Sequence, residues 1–345
     1  MNYNFYKTSE KAWKAMINAI SQAKERVFLE LYIFLPDTAP KYDFIGILKK
    51  KAEKGVKVVI IADKFGSYYF PSAIIKELRD SGVEFLFASS WLRRTHRKIL
   101  VVDDNIAFLG GVNIKKETSK WNDLQIRIKV KTLVKSIARY FVYGYKMCGG
   151  KDEQVLFLYK KSFLTKLKNK ILVHHPQESL SSINAYYRDK FLKAKEKISI
   201  VTPYFTPPRW FIALLDKARL NGVEVEIIIP KRTDIKIVDY ANRAFIKKLL
   251  GVGIKFYYFP EMNHAKMIII DNQEIFVGSP NLDIFSLKLN LEIGVFIDNK
   301  ALAVEAVKIV KDWKEGSELV DPKKNGLYFW DNVIIRIISW FYSIL

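Results

Sequence analysis

His96-Arg97-Lys98-Ile99-Leu100-Val101-Val102-Asp103 returns, about 168 residues later, as His264-Ala265-Lys266-Met267-Ile268-Ile269-Ile270-Asp271. Both stretches read His-x-Lys-x4-Asp. The four apolar residues before each aspartate are strand length, and an unbroken apolar run implies a strand covered on both faces. Each copy then passes through a second apolar run into a glycine turn that ends in asparagine: Gly110-Gly111-Val112-Asn113 and Gly278-Ser279-Pro280-Asn281. The chain has four histidines, and two of them occupy these matched places.

Working outward, the segments around each copy alternate between helix and strand. Apolar residues at helical spacing predict a helix over residues 9–24, and Val27 to Leu35 predicts a buried strand. A helix from Asp43 to Lys54 stops at Gly55, a strand runs from Val56 to Ala62, a helix from Pro71 to Ser81, and a strand from Val83 to Ala88. This order means crossover connections and a mixed sheet. It then recurs. Ala23-Lys24-Glu25-Arg26-Val27 matches Ala194-Lys195-Glu196-Lys197-Ile198, and Ile75-Lys76-Glu77-Leu78 matches Ile246-Lys247-Lys248-Leu249. A repeat this long is a duplicated domain. The expected fold is α/β, with two similar halves carrying mixed sheets about a pseudo-two-fold axis. The two His-x-Lys strands would meet at the seam. The first half is assigned to residues 1–150, a basic linker to 151–182, and the second half to 183–320.

The composition narrows the partners without choosing one. With 57 basic and 36 acidic residues, the formal net charge is +21. A charge this far from zero points to nucleic acid, an anionic membrane surface or a phosphorylated substrate. The single cysteine, Cys148, excludes an intramolecular disulfide and fits a reducing compartment. No signal peptide and no run long enough to span a bilayer is expected.

The residue types themselves suggest a chemistry. An imidazole nitrogen can attack phosphorus, and a second, protonated imidazole can hand a proton to the departing alkoxide. Lysine ammonium groups and asparagine amides hold non-bridging oxygens. Two histidines, two lysines and two asparagines converging on one point would form a phosphate site. No metal or cofactor is expected, because the lysines supply the positive charge.

Together with these motifs, Ala62-Asp63-Lys64-Phe65-Gly66-Ser67, Trp121-Asn122-Asp123, Thr202-Pro203-Tyr204-Phe205 and Gly278-Ser279-Pro280-Asn281-Leu282-Asp283 resemble the phospholipase D superfamily, and within it the bacterial cardiolipin synthases. The resemblance runs from about Ala23 to Trp313. It implies a duplicated phospholipase D-like fold and a catalytic set of His96, Lys98, Asp103, His264, Lys266 and Asp271. His96 would be the nucleophile and His264 the general acid. Lys98, Lys266, Asn113 and Asn281 would bind the phosphate, with Ser279 adding a hydroxyl. Asp123 and Glu292 would each orient the histidine of the opposite half. Asp103 and Asp271 look more structural, holding the turn after each strand. Phe285 stands where relatives commonly carry arginine.

The implied activity is phosphatidyl transfer through a phosphohistidine, from a phospholipid to an alcohol such as phosphatidylglycerol or glycerol. Hydrolysis by the same site, a nuclease or phosphodiesterase of the superfamily, and a non-catalytic anionic-lipid or nucleic-acid binder are the alternatives. The expected partners are phospholipid substrates and an anionic phospholipid membrane, with nucleic acid as the competing one.

Two segments stand outside the repeat. In the linker, lysines alternate with apolar residues over Lys160 to Leu172, and a loop is expected at His174-His175-Pro176. At the end of the sequence, Asn332, Arg336, Ser339 and Ser343 form one narrow polar stripe, while Val333, Ile334, Ile337, Trp340 and Phe341 fill the rest. Residues 327–345 therefore predict an amphipathic helix lying in a membrane interface. That places the protein peripherally on the cytoplasmic face of the cell membrane.

Overall fold

A computed structural model describes residues 1–88, 94–160, 170–176 and 180–321, together with positions 333, 336 and 337. The first half starts with β1 (Tyr3–Thr8), α1 (Ser9–Ser21), β2 (Arg26–Leu31), α2 (Phe44–Glu53), β3 (Lys57–Asp63), α3 (Ser72–Asp80) and β4 (Glu84–Ala88). It continues through β5 (Ile99–Val102), β6 (Ile106–Gly110), β7 (Asn122–Ile128), α4 (Lys131–Met147) and α5 (Glu153–Lys160). Its seven strands are ordered β1-β7-β6-β5-β2-β3-β4.

The second half holds β8 (Lys170–His175), β9 (Leu180–Ser181), α6 (Ser182–Lys193), β10 (Lys197–Val201), α7 (Arg209–Leu220), β11 (Glu224–Pro230), α8 (Lys236–Leu250) and β12 (Lys255–Phe259). β13 (Met267–Ile270), β14 (Glu274–Gly278), β15 (Glu292–Asp298), α9 (Lys300–Glu315) and β16 (Glu318–Leu319) complete it. The order in this sheet is β16-β12-β11-β10-β13-β14-β15-β8-β9.

The two sheets share a plan. β2, β3 and β4 run parallel, as do β10, β11 and β12, and the motif strands β5 and β13 run antiparallel beside β2 and β10. The outer face of the first sheet packs on α1, α2 and α3, and that of the second on α6, α7 and α8. The inner faces meet in a shared core with α4 and α9, joining Val101 and Leu109 to Val277 and Ile293. The apolar runs read from the sequence are therefore covered on both sides, as an unbroken run requires.

Three local expectations change. β2 leaves the sheet at Leu31, because the next residues turn away to pair Phe34 with Ile114. His174 and His175 are not in a loop. They end β8, which lies within the residues assigned to the linker and extends the second sheet beside β15. Both rings are buried, His175 against Tyr140 and Tyr143 of α4. Of the lysine-rich stretch, Lys170 to Leu172 is strand and 161–169 lie outside the described residues. The tail helix expected over 327–345 also lies outside them, apart from three isolated positions.

Candidate active site

Each motif begins at the edge where its parallel strands end. Glu30 pairs with Ile99, so the chain entering β5 carries His96 and Lys98 to the carboxyl end of β2. Val201 pairs with Met267, which does the same for His264 and Lys266. In an open α/β sheet this edge is where ligands bind. Residues two apart share a face of an extended chain, so His and Lys project together in each copy. The two edges are stitched to each other by backbone bonds. His96 N–H donates to Leu291 O at 3.0 Å, Leu291 N–H to Arg94 O at 2.8 Å, and His264 N–H to Asn122 O at 2.6 Å.

Side chains cross the same seam. His96 Nδ1 lies 2.9 Å from Glu292 Oε1, and His264 Nδ1 lies 2.8 Å from Asp123 Oδ2. Each acid thus holds the histidine of the other half, which leaves both Nε2 atoms for chemistry. Aromatic rings hold the imidazoles from other sides: Tyr32 at 5.0 Å from His96, and Trp121 at 5.3 Å and Tyr204 at 6.3 Å from His264. The whole group is buried, with His96 7% and His264 4% exposed.

Lys98 Nζ donates to His96 O at 2.7 Å and Lys266 Nζ to His264 O at 2.5 Å, which brings both ammonium groups to the histidines. Asn113 accepts from Ile33 N–H through Oδ1 at 3.2 Å, so its NH2 remains as a donor. Asn281 is held by a backbone bond to the Ser286 hydroxyl at 3.1 Å, and its amide is buried.

The two halves differ in how the acids are held. Glu292 also accepts from the Ser279 hydroxyl, which in turn accepts from Ile293 N–H at 3.1 Å. Asp123 has the glycine Gly111 at the matching place. Its Oδ1 accepts from Leu124 N–H at 2.7 Å, and a Cβ on residue 111 would fall 2.1 Å from that oxygen.

These contacts set the electrostatics. Burial pushes Glu292 up, but the charges of His96 and Lys98 and the Ser279 hydroxyl together hold it below the usual carboxylate range. Burial drives Asp123 up to about 7, against the pull of Lys266 and Leu124 N–H. His96 is lowered to about 4, chiefly by burial, and His264 is lowered well below its ordinary value by burial and the neighbouring Lys266. Burial also brings Lys98 down to about 8 and Lys266 to about 7. The two acids are thus pushed in opposite directions, Glu292 toward its carboxylate and Asp123 toward its protonated form.

Two sequence expectations need correction. Asp103 and Asp271 do not join the catalytic set. Asp103 accepts from the N–H groups of Lys24, Glu25 and Arg26 at 2.7 to 2.9 Å, and Asp271 from those of Lys195, Glu196 and Lys197. They anchor the starts of β2 and β10, five extended residues or roughly 16 Å of chain beyond the lysines. Ser279 does not offer its hydroxyl to a substrate, because that hydroxyl is bonded to Glu292.

Some residues near the site were not singled out for a role. His174 lies opposite Glu292 in the β8–β15 register, where burial lowers it and Glu292 partly restores it. Its only signal in the sequence was the rarity of histidine. Arg97, between the two motif residues, points to the other side of the strand. Its Nε donates to Glu30 Oε1 at 2.9 Å and its Nη1 to Tyr140 O at 3.0 Å, and Thr95 donates to the same glutamate oxygen. Ala265 occupies the matching position in the second half.

The chain resembles known proteins over most of its length. It is 29% identical over 313 residues to a cardiolipin synthase of Geobacillus kaustophilus, covering 84% of this chain and 61% of that protein. It is 30% identical over 323 residues to a cardiolipin synthase of Clostridium perfringens, covering 87% and 67%. The chain therefore spans about three fifths to two thirds of the length of these relatives. Among solved structures, phosphatidylserine synthase of Haemophilus influenzae superposes with a TM-score of 0.76 at 17% identity, covering 99% of this chain and 93% of that one. Polyphosphate kinase of Porphyromonas gingivalis gives 0.67 at 14% identity, covering 99% and 53%. These two likenesses show the duplicated α/β fold. The family described as cardiolipin synthase, PLD-like domain, matches residues 16–143 and 187–313, one match in each half, and the chain belongs to that family.

Proposed function

We propose that the protein is a phosphatidyltransferase that moves a phosphatidyl group through a covalent histidine intermediate. The observation that carries this reading is the pair of crossed histidine–acid contacts, which are alike in distance and unlike in how the acids are held, Glu292 by the Ser279 hydroxyl and Asp123 by Leu124 N–H. His96, oriented by ionised Glu292, presents a neutral Nε2 lone pair and serves as nucleophile. Burial pushes Asp123 toward its protonated form, and the His264–Asp123 pair serves as acid. The assignment therefore rests on local electrostatics as well as on the family resemblance.

In the first step His96 Nε2 attacks phosphorus, and the bond from phosphorus to the head-group oxygen breaks. His264 supplies the proton that the leaving alkoxide takes up. Lys98, Lys266 and the amides of Asn113 and Asn281 hold the non-bridging oxygens as charge shifts among them. In the second step an acceptor hydroxyl passes its proton to His264 and attacks phosphorus, and the P–N bond breaks. An acceptor alcohol yields the transferred lipid; water yields phosphatidic acid. Because relatives carry the name cardiolipin synthase, we take phosphatidylglycerol as the donor and acceptor to test.

The test is labelled phosphatidylglycerol in vesicles, with products resolved and single-stranded DNA as a parallel substrate. Cardiolipin with released glycerol is expected. Phosphatidic acid alone means a hydrolase, and cleavage of DNA alone sinks the lipid reading. His96→Ala and His264→Ala should each lower turnover by about a thousand-fold or more, as loss of a nucleophile or general acid does. Near-normal turnover in either variant overturns the two-histidine mechanism.

A further inference from the structure

The segments that leave β3 and β11, the second running into the first turns of α8, occupy matching places in the two halves, at the edges that carry the histidines. Both present large apolar side chains to solvent. Phe65, Tyr68 and Tyr69 follow β3, and Ile235, Ile237 and Tyr240 follow β11, each between 44% and 81% exposed. Exposed apolar residues gathered at one place mark an interaction surface.

These side chains stand on pinned backbone. Asp63 accepts from Phe65 N–H at 3.0 Å and Gly66 N–H at 2.9 Å, and the Ser67 hydroxyl donates to Tyr32 O at 3.1 Å. Across the mouth, Asp239 accepts from Thr233 N–H at 2.7 Å and Asp234 from the Tyr204 hydroxyl at 2.5 Å. Tyr32 and Tyr204 are the rings that pack on His96 and His264. Each apolar arm is therefore tied to the tyrosine that packs on the histidine of its own half.

Each arm also carries a guanidinium on an aromatic ring: Arg94 lies 3.6 Å from the Phe65 centroid and Arg243 4.5 Å from that of Tyr240. Aromatic rings beside arginine suit the level of lipid head groups, where the ring is half in hydrocarbon and the cation meets phosphate. The chain's net charge of +21 favours an anionic over a neutral lipid surface. The substrate argues likewise. Both histidines are nearly buried, and lifting two acyl chains into water costs about 0.8 kcal/mol per CH2. A mouth laid on the bilayer lets a head group enter while its chains stay in hydrocarbon.

We propose that the two arms form a lip that embeds in an anionic bilayer and delivers lipid head groups to the site between them. Naming phospholipid as the occupant rests on the phosphatidyl-transfer reading. The first test does not need activity. An environment-sensitive nitrobenzoxadiazole label is placed at Tyr69→Cys or Ile237→Cys, in a Cys148→Ala background. The control is Leu220→Cys, an exposed apolar position at the opposite sheet edge. With phosphatidylglycerol vesicles, emission at 69 and 237 should shift to the blue and rise about two-fold or more, with no change at 220. No shift at 69 and 237, or the same shift at all three, overturns the lip.

The second test compares substrate forms. Tyr68→Ser/Tyr69→Ser/Ile237→Ser should turn over phosphatidylglycerol vesicles about ten-fold more slowly than the parent. On short-chain phosphatidylglycerol below its micelle concentration, it should stay within about two-fold. Equal loss on both forms, or no loss on vesicles, overturns the proposal. If the parent protein turns over neither form, the transferase reading fails, and the labels still decide whether the lip docks.

Discussion

Serine at 279 and glycine at 111 are one atom group apart, yet they separate the two histidines. The Ser279 hydroxyl helps keep Glu292 ionised, whereas Asp123, which has no such hydroxyl, is pushed by burial up to about 7 despite Lys266 and Leu124 N–H. The pH dependence of kcat/KM follows from these values. It should fall as pH drops through about 4, where His96 takes up a proton and loses its lone pair. It should also fall as pH rises through about 7, where Asp123 and Lys266 lose theirs. A pH–rate profile with a plateau extending well above pH 8 contradicts the assignment. Ser279→Ala removes one hydroxyl donor, worth about 1–2 kcal/mol to a carboxylate. Glu292 then rises, the His96–Glu292 pair takes up its first proton at higher pH, and the acid limb should move up by roughly one unit. An unmoved limb means that Ser279 does not tune the pair.

At the scale of elements, the most costly arrangement is the ion pair behind the first motif. Arg97 and Glu30 are both fully buried, and the Arg97 guanidinium closes against α4 at Gly144, where a Cβ would fall 2.3 Å from Nη2. Removing one charge of such a pair strands the other. Arg97→Met should destabilise the protein by about 3–5 kcal/mol, and Arg97→Met/Glu30→Met by clearly less, read as unfolding midpoints in denaturant. Equal losses show that the pair is not coupled.

Most of this layer of structure was legible in the sequence. β5 and β13 stood out because buried strands read as unbroken apolar runs, and α1 to α3 because their apolar faces recur at helical spacing. β8 was not legible. Lys170 at its start belongs to a lysine-rich stretch, and its two histidines are polar at positions that only tertiary contact with α4 and β15 could identify as buried. The histidines, lysines and asparagines that the fold gathers stood out because the duplication repeated them, whereas Asp123 and Glu292 came from the family resemblance alone. The destination of single hydroxyls and carboxylates was not. Ser279 turns to Glu292, and Asp103 and Asp271 turn to backbone amides, because such choices depend on which donors the fold brings within 3 Å.

On the scale of the molecule, charge and apolar surface act together. Among the described residues no helix is long and apolar enough to cross a membrane. From its sequence, the stretch 327–345 is proposed as a second means of attachment, separable from the lip. Truncation before Leu327 should reduce co-flotation with phosphatidylglycerol vesicles by about ten-fold, with a smaller effect on neutral phosphatidylcholine vesicles, since binding strength follows buried apolar area and attraction to anionic lipid. Equal flotation of the full and shortened chains removes the tail from the account.

The crossed contacts have one more consequence. Each histidine is held by an acid that the other half supplies, so neither half completes a histidine–acid pair of its own. Opening the seam by even a few ångströms releases both bases at once. Reactivity is therefore conditional on closure, as in a lock that needs two keys turned together. Because the two halves share one chain, each key could also be cut differently: glutamate with serine on one side, aspartate with glycine on the other. A symmetric pair of identical chains must give its two histidines the same surroundings in the resting state. Fusion removes that constraint and lets donor and acceptor of the proton be built in advance.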